Sequence, residues 1–260
     1  MALRLGRTFS DGIRRVFTRT GGALFAALLG IQFLLQTSIN TAVLGSIPPE
    51  ASGEVAEMLG LALPVSGTVG TLLAVIAFAL NFVFFVGLSR ALTRPMAELS
   101  TVPATLFTRR LGRATLSMAV GGVVVGLLVF VGIVLLVLPG IFLAVCFLFF
   151  IFAVGVEDRG VDGALRRSWD LSRGNRLKLA VIVIFAGVIG GVVGTAGALF
   201  DLAGAPIVAE LLTSTPSSLL FVVLYGSMAA AYLQLTADED GVYNPNTADP
   251  AAATVDVEER

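Results

Sequence analysis

The sequence predicts an all-α integral membrane protein, a polytopic bundle of six transmembrane helices, from three observations. Hydrophobic residues make up 56% of the 260 residues, charged residues make up 13%, and the mean hydropathy is +0.93. A soluble domain usually carries about 25% charged residues. Sixteen of the 17 Lys and Arg residues fall within residues 1–20, 90–113 and 157–178, and long apolar runs separate these segments. Because cations mark the cytoplasmic ends of membrane spans, this pattern predicts both class and orientation.

The N-terminal segment is predicted to lie on the membrane rather than across it. Apolar residues recur at helical spacing over residues 3–19, and the arginines stay off that stripe. A basic amphipathic helix of this kind lies in the membrane interface. The first span is predicted at residues 21–45 and the second at 66–89, each long enough for the roughly 20 residues that cross a bilayer. Their connection carries Glu and no Lys or Arg, which places it outside.

The third and fourth spans are predicted to meet at a Pro-Gly turn. The third covers residues 114–138 and ends at Pro139-Gly140. The remaining apolar segment, 141–156, is short enough to be either a genuine span or a re-entrant segment. A re-entrant segment would place the six cations of residues 157–178 outside, against the distribution in the rest of the chain. The sequence therefore favours a fourth span, with Pro139-Gly140 as a tight hairpin.

The last two spans are predicted at residues 179–200 and 217–235. Thr215-Pro216 has the form of an N-cap followed by Pro at the first helical position, so the sixth span is expected to begin there.

Six spans place both termini in the cytoplasm and the protein in the plasma membrane. The membrane domain then covers residues 1–236. Residues 237–260 are rich in Asp and Glu and are predicted to form a disordered cytoplasmic tail.

The most distinctive hydrophilic segment is EDRGVDGALRRSWDLSRGNRLK, residues 157–178. A helix over residues 162–173 would lie in the interface and carry the only Trp of the chain, and indole prefers the headgroup level. Two interpretations are open. The segment is either a linker that orients two spans or a site for anionic lipid headgroups, where each cation contributes about 1 kcal/mol. The predicted headgroup-facing residues are Arg166, Arg167, Ser168, Trp169, Arg173 and Arg176.

A pattern over residues 136–180 resembles a known family. It consists of Leu138-Pro139-Gly140-Ile141, an apolar helix ending in Val156-Glu157, Ala164-Leu165-Arg166-Arg167-Ser168-Trp169 and Ser172-Arg173-Gly174-Asn175-Arg176. These motifs are similar to the membrane domain of glycerophosphoryl diester phosphodiesterases and its stand-alone relatives. In that family the membrane domain can be fused to a soluble phosphodiesterase barrel that carries the chemistry, and these 260 residues contain no such barrel. The resemblance therefore implies a membrane module, not a phosphodiesterase.

A few polar residues fall inside the predicted spans. Gln32, Gln36 and Asn40 are spaced i, i+4, i+8, and Asn81 lies deep in the second span. Lipid offers no hydrogen-bond partner, so this face is expected to point into the bundle. The residues either bond between helices or line a polar path, as in a transporter or permease for a small or lipidic solute. No ionisable residue lies at the centre of a span, which disfavours ion-coupled transport.

Glycines recur at helix-packing spacing in the third and fifth spans. Small residues at this spacing let helix backbones approach, either between spans or between the protomers of an oligomer. Packing is favoured over a hinge. The residues are Gly122, Gly126, Gly187, Gly190, Gly191 and Gly194.

The chain lacks the usual residues of catalytic and metal sites. It has no His, and its single cysteine, Cys146, lies in an apolar run where packing is the expected role. Zinc sites of the usual kind and His-based triads are thereby excluded, and neither a metal nor a cofactor is predicted. There is also no phosphate-binding loop and no nucleophile elbow.

The leading expectation is a non-enzymatic membrane module that organises lipid or a partner membrane protein at the cytoplasmic face. Its predicted partners are membrane lipids with anionic headgroups. Membrane topology already explains the basic loops, so no nucleic acid partner is predicted. The transporter is the alternative, and a membrane-embedded enzyme that depends on Glu157 or Asp158 ranks last.

Overall fold

The computed structural model describes residues 4–103, 106 and 110–239, and no β-strand occurs among them. The predicted tail, 237–260, lies outside these residues except for 237–239, which continue the last helix. The α-helices are α1 (Leu5–Val16), α2 (Arg19–Leu44), α3 (Pro49–Met58), α4 (Gly67–Leu92), α5 (Leu111–Leu135), α6 (Val137–Cys146), α7 (Phe150–Gly155), α8 (Val161–Ser172), α9 (Arg176–Leu202) and α10 (Pro206–Glu239).

Six segments of the described chain are long and apolar enough to cross a membrane, as the sequence predicts. The all-α, six-span class is therefore confirmed, and the protein is a multi-pass membrane protein. The candidate spans are Arg19–Leu44, Gly67–Leu92, Leu111–Leu135, Val137–Gly155, Arg176–Leu202 and Pro206–Ala237.

The spans form a closed ring in chain order. α2 packs on α4, α4 on α5, α5 on α6, α6 on α9, α9 on α10, and α10 returns to α2. Glycines allow the closest approaches, because a side chain there would meet the backbone of the next helix. A Cβ added at Gly132 would lie 2.9 Å from the Cα of Gly140, and one at Gly45 would lie 2.3 Å from the Cα of Gly67.

The fourth span is the most enclosed and is broken in two. In the 18-residue apolar segment of this span 44% of the residues are buried, whereas the buried share of the corresponding segments of the other spans is 11–22%. The helix is interrupted between Cys146 and Phe150, so α6 and α7 are separate helices. The chain reverses at Leu136, not at the predicted Pro139-Gly140 hairpin. Pro139 lies in the first turn of α6, where its missing N–H costs no helical bond.

The sixth span begins at Pro206, so the prediction that Pro216 opens it is wrong. Gly204, with φ +74°, ends α9, and the N–H of Ala205 donates to the carbonyl of Phe200 at 3.0 Å. This is the Schellman arrangement that closes a helix at glycine. Pro206 then takes the first position of α10, and Pro216 lies inside the helix.

α1, residues 93–103 and α8 lie at one end of the bundle, which we call the arginine-rich end. Large buried side chains concentrate in this half, whereas the far halves of α5 and α9 expose large apolar side chains. The best-buried members include Leu88, Leu92, Phe149, Phe152 and Leu179. The compact core therefore supports the arginine-rich end, where the candidate site lies.

Candidate functional site

α8 has one face inside the bundle and one outside. The buried face consists of Ala164, Ser168, Leu171 and Ser172. Arg166, Trp169 and Arg173 are spaced i, i+3, i+7 and therefore share another side of the helix, on which both arginines are exposed. Gly174, with φ +83°, ends the helix, and Arg176 follows in the first turn of α9.

Ser168 bridges the interruption between α6 and α7. Its hydroxyl accepts from the N–H of Phe149 at 3.0 Å and donates to the carbonyl of Cys146 at 2.9 Å. The helix break deprives these groups of helical partners, and hydrocarbon offers no replacement. Ser168 is 0% exposed. It is therefore not available to a headgroup, contrary to the prediction.

Glu157 joins the end of α7 to α8 and α10. Its carboxylate accepts from the Tyr232 hydroxyl at 2.7 Å and from Nε of Arg167 at 3.0 Å, and it also pairs with Arg159. Burial alone would raise the pKa of Glu157, but these three donors outweigh it and hold the pKa below its usual range. Arg167 is thus engaged in an ion pair within the chain rather than with a headgroup.

Replacing Glu157 with Gln is expected to lower the free energy of unfolding near neutral pH by about 2 kcal/mol, because charge-assisted hydrogen bonds are lost. A carboxylate whose pKa is lower in the folded protein stabilises the fold at pH values above its pKa in the unfolded chain, which is about 4.3 for Glu. That contribution is lost as the pH falls through the folded pKa. The wild-type protein should therefore lose stability below about pH 4, and E157Q should lack this part of the decline.

Thermal unfolding in detergent between about pH 3 and pH 8 measures this effect. Glu98→Gln is the matched control, because Glu98 is 57% exposed in its ion pair with Arg94 and should contribute little. An acid decline of the same size in E157Q and the wild type would contradict the assignment.

Two inward-facing arginines close the arginine-rich end by binding backbone carbonyls. Arg15, buried in α1, donates to the carbonyls of Leu92 at 2.6 Å and Arg94 at 2.8 Å, at the C-terminal end of α4. Arg90 donates to the carbonyl of Gly155 at 2.7 Å, at the end of α7. Cations are favourable at helix C-termini. The arginines are predicted to stay off the apolar stripe of this helix, but the face of α1 that is buried against the bundle includes Arg15, together with Thr8, Gly12 and Val16.

Arg176 is held by aromatic rings rather than by a carboxylate. Its guanidinium carbon lies 4.5 Å from the ring centroid of Trp169 and 5.0 Å from that of Phe142. Nε and Nη2 are buried, and no acceptor among the described residues binds them. Phe142 is 43% exposed, so the stack lies at the bundle surface. Cation–π contacts orient the charge without neutralising it, which leaves it suited to an anion.

The structure thus divides the six predicted headgroup-facing residues. Arg167 and Ser168 are engaged inside the chain, as described above. The other four form what we call the α8–α9 surface, which consists of Arg166, Trp169, Arg173 and Arg176. Arg166 pairs with Asp162 at 3.2 Å, but both side chains are about four-fifths exposed, so the pair leaves Arg166 accessible.

The predicted polar face of the first span does not point into the bundle as a unit. Gln32 and Gln36 are exposed on its surface, and Asn81 is half-buried in α4. Gln36 donates to Asn40 at 3.2 Å, and Asn40 donates to the carbonyl of Leu61 at 3.0 Å. Asn40 therefore fixes the loop between α3 and α4 rather than bonding to a neighbouring span.

An apolar cavity of about 480 Å³ lies among α4, α5, the α6–α7 interruption and α10. Gly122 and Gly126 form part of its α5 wall. A Cβ at Gly126 would meet no atom within 4 Å, and one at Gly122 would lie 3.7 Å from the Phe82 ring. These two glycines leave space rather than bring helices together, contrary to the packing prediction.

The four predicted packing glycines of α9 are exposed. A Cβ added at any of these four would meet no atom within 4 Å, so the prediction that they pack spans of one chain together is wrong, and contact with a second protomer stays a prediction. The set consists of Gly187, Gly190, Gly191 and Gly194. In the part of the chain that the structure describes, no group of three or more His, Cys, Asp or Glu residues could hold a metal ion.

Comparison with known sequences assigns the chain to a family, and the match covers the whole membrane domain. No curated protein and no solved structure matches it significantly. A family model described as Domain of unknown function (DUF7847) matches residues 3–235. That description states no activity, so the resemblance to the membrane domain of glycerophosphoryl diester phosphodiesterases stays a prediction. Because the match covers more than half of the chain, the protein belongs to the DUF7847 family.

Proposed function

We propose that the protein is a non-enzymatic module of the plasma membrane that binds anionic lipid headgroups through the α8–α9 surface. The observation that carries the proposal is the guanidinium of Arg176, which is stacked on Trp169 and Phe142 at the bundle surface, beside the exposed Arg166 and Arg173. A phosphate group supplies the negative charge that complements these guanidinium groups.

The position of this surface supports the proposal. Cation placement favours a cytoplasmic arginine-rich end, with both termini inside, and indole rings prefer the headgroup level. Arg166 and Arg173 flank Trp169 on the same side of α8 and are exposed. Each cation near an anionic leaflet contributes about 1 kcal/mol. A membrane module without a catalytic barrel is also what the family resemblance implies. Bound lipid would let the module position a partner membrane protein.

The transporter alternative has less support. Its proposed path requires Gln32, Gln36, Asn40 and Asn81 to border a common space. None of the four lines the 480 Å³ cavity or a second apolar cavity of about 560 Å³ between α2 and α4.

Changing Arg166, Arg173 and Arg176 together to Gln is expected to weaken binding of an anionic lipid. The expected loss is on the order of 100-fold, because the three removed cations contribute about 1 kcal/mol each and every 1.4 kcal/mol is a factor of ten. Native mass spectrometry of the purified protein titrated with phosphatidylglycerol, with phosphatidylcholine as the zwitterionic reference, measures it. The preference for phosphatidylglycerol should fall while folding and membrane insertion are retained.

A second triple variant, with Arg4, Arg14 and Arg19 changed to Gln, is the matched control. These arginines are also exposed at the arginine-rich end, and their replacement removes the same charge from α1 and the start of α2. The control should keep most of the preference. An equal loss in both variants would mean diffuse attraction, and an unchanged preference in the first would overturn the proposal.

A further inference from the structure

We infer that the 480 Å³ cavity holds one acyl chain of a membrane lipid. The inference rests on the proposed lipid-binding function and extends it, because the cavity is a contact for the apolar part of a lipid and lies apart from the α8–α9 surface. It also gives Gly122 and Gly126 a role, as the positions that leave the cavity empty of side chains.

The chemistry of the cavity wall selects hydrocarbon. All lining residues are apolar except Tyr225, which carries the only hydroxyl among these side chains. No charged residue lines the cavity, so a headgroup would lose its hydration without any compensating partner. The volume lies within the range of about 300–1,000 Å³ that small-molecule sites occupy.

Access to the cavity comes from the bilayer. Phe78 on α4 and Val123 on α5 both line it and are 53% and 50% exposed. Both lie within membrane spans, so the opening between α4 and α5 faces hydrocarbon rather than water. The molecules that meet such an opening are the acyl chains of surrounding lipids, and we therefore commit to an acyl chain rather than a polar solute.

Aromatic contacts hold the cavity open. The rings of Phe78 and Phe82 meet edge to face at 5.0 Å, and Phe85 contacts Tyr225 at 5.8 Å. Such pairs give the rings fixed orientations, so these side chains do not fill the space beside Gly122 and Gly126.

Phe147 connects this cavity to the α8–α9 surface. Its ring lines the cavity, and its centroid lies 6.2 Å from that of Trp169. It belongs to the interruption between α6 and α7 that Ser168 bridges. A chain in the cavity would therefore support the ring against which Trp169 packs.

Photolabelling tests the inference. The protein is reconstituted in phosphatidylcholine nanodiscs that contain phosphatidylcholine with a diazirine in its acyl chain, and labelled residues are mapped by peptide mass spectrometry. Met118 and Met228 line the cavity but are only 2% and 5% exposed, so labelling there reports a chain inside it. We expect both to be labelled in the wild type, together with lipid-facing residues such as Leu127.

Gly126→Leu fills the cavity and should abolish labelling at both methionines while labelling of Leu127 continues. Gly187→Leu is the matched control, because Gly187 is also an exposed glycine with no atom within 4 Å of an added Cβ. It should leave the labelling unchanged. Gly126→Ala adds only a methyl group and covers the case in which the leucine variant does not fold; it should reduce labelling partially.

Absence of labelling at Met118 and Met228 in the wild type would overturn the inference, as would equal labelling in the wild type and both Gly126 variants. Because the probe is zwitterionic, the triple arginine variant should keep this labelling. The phosphatidylglycerol preference therefore tests the headgroup site, and labelling at Met118 and Met228 tests the cavity, so failure of one can be distinguished from failure of the other.

Discussion

Replacing Arg90 with Met is expected to lower the free energy of unfolding by about 3–5 kcal/mol, because it breaks a buried ion pair by removing one partner. Nη2 of Arg90 lies 3.1 Å from Oδ1 of Asp158, and each side chain is only 10% exposed. The same guanidinium donates to the carbonyls of Gly155 at 2.7 Å and Leu106 at 2.9 Å. One residue of α4 thus joins three separate parts of the arginine-rich end.

Unfolding in detergent, monitored by heat or by added denaturant, measures the effect of R90M. Arg166→Met is the control, since its ion pair with Asp162 is largely exposed and should contribute little. The double variant R90M/D158N should lose less than the sum of the two single variants, because it leaves no uncompensated buried carboxylate. Equal stability of R90M and R166M would contradict the structural role of Arg90.

Replacing Ser168 with Ala is expected to cost about 1–3 kcal/mol for each of the two backbone groups left without a partner. These are the N–H of Phe149 and the carbonyl of Cys146, both at the interruption of the fourth span. No water reaches them in a fully buried position, so the loss should be larger than for a surface hydroxyl.

The Ser168 variant has two readouts, stability and local opening. Besides a lower melting temperature, we expect faster hydrogen exchange at the Phe149 amide in S168A. Ser89→Ala is the matched control, because Ser89 is equally buried but its hydroxyl bonds only to the Val86 carbonyl of its own helix. A loss in S168A no greater than in S89A, with unchanged exchange at Phe149, would refute the bridge.

The number and class of the helices follow from composition and from charge placement. Apolar runs of sufficient length must be helical in lipid, since every backbone group has to be bonded within its own segment. The start of the sixth span was also present in the sequence, in Gly204 and Pro206. Glycine just after a helix and proline at the first position of the next helix are stronger boundary signals than Pro216, because a membrane helix tolerates an internal proline when its neighbours satisfy the freed backbone group.

What the sequence determined by itself is the membrane class, the six spans and the segments in which cations gather. Which arginines face outward was decided only by the tertiary structure. Arg166 and Arg167 are adjacent on one helix, yet one is exposed and the other binds Glu157. Ser168 bonds to backbone groups about 20 residues away, and Gly122 and Gly126 border a cavity that four neighbouring helices complete. Composition and periodicity report a residue's own helix, whereas these roles depend on what the neighbouring helices place opposite it.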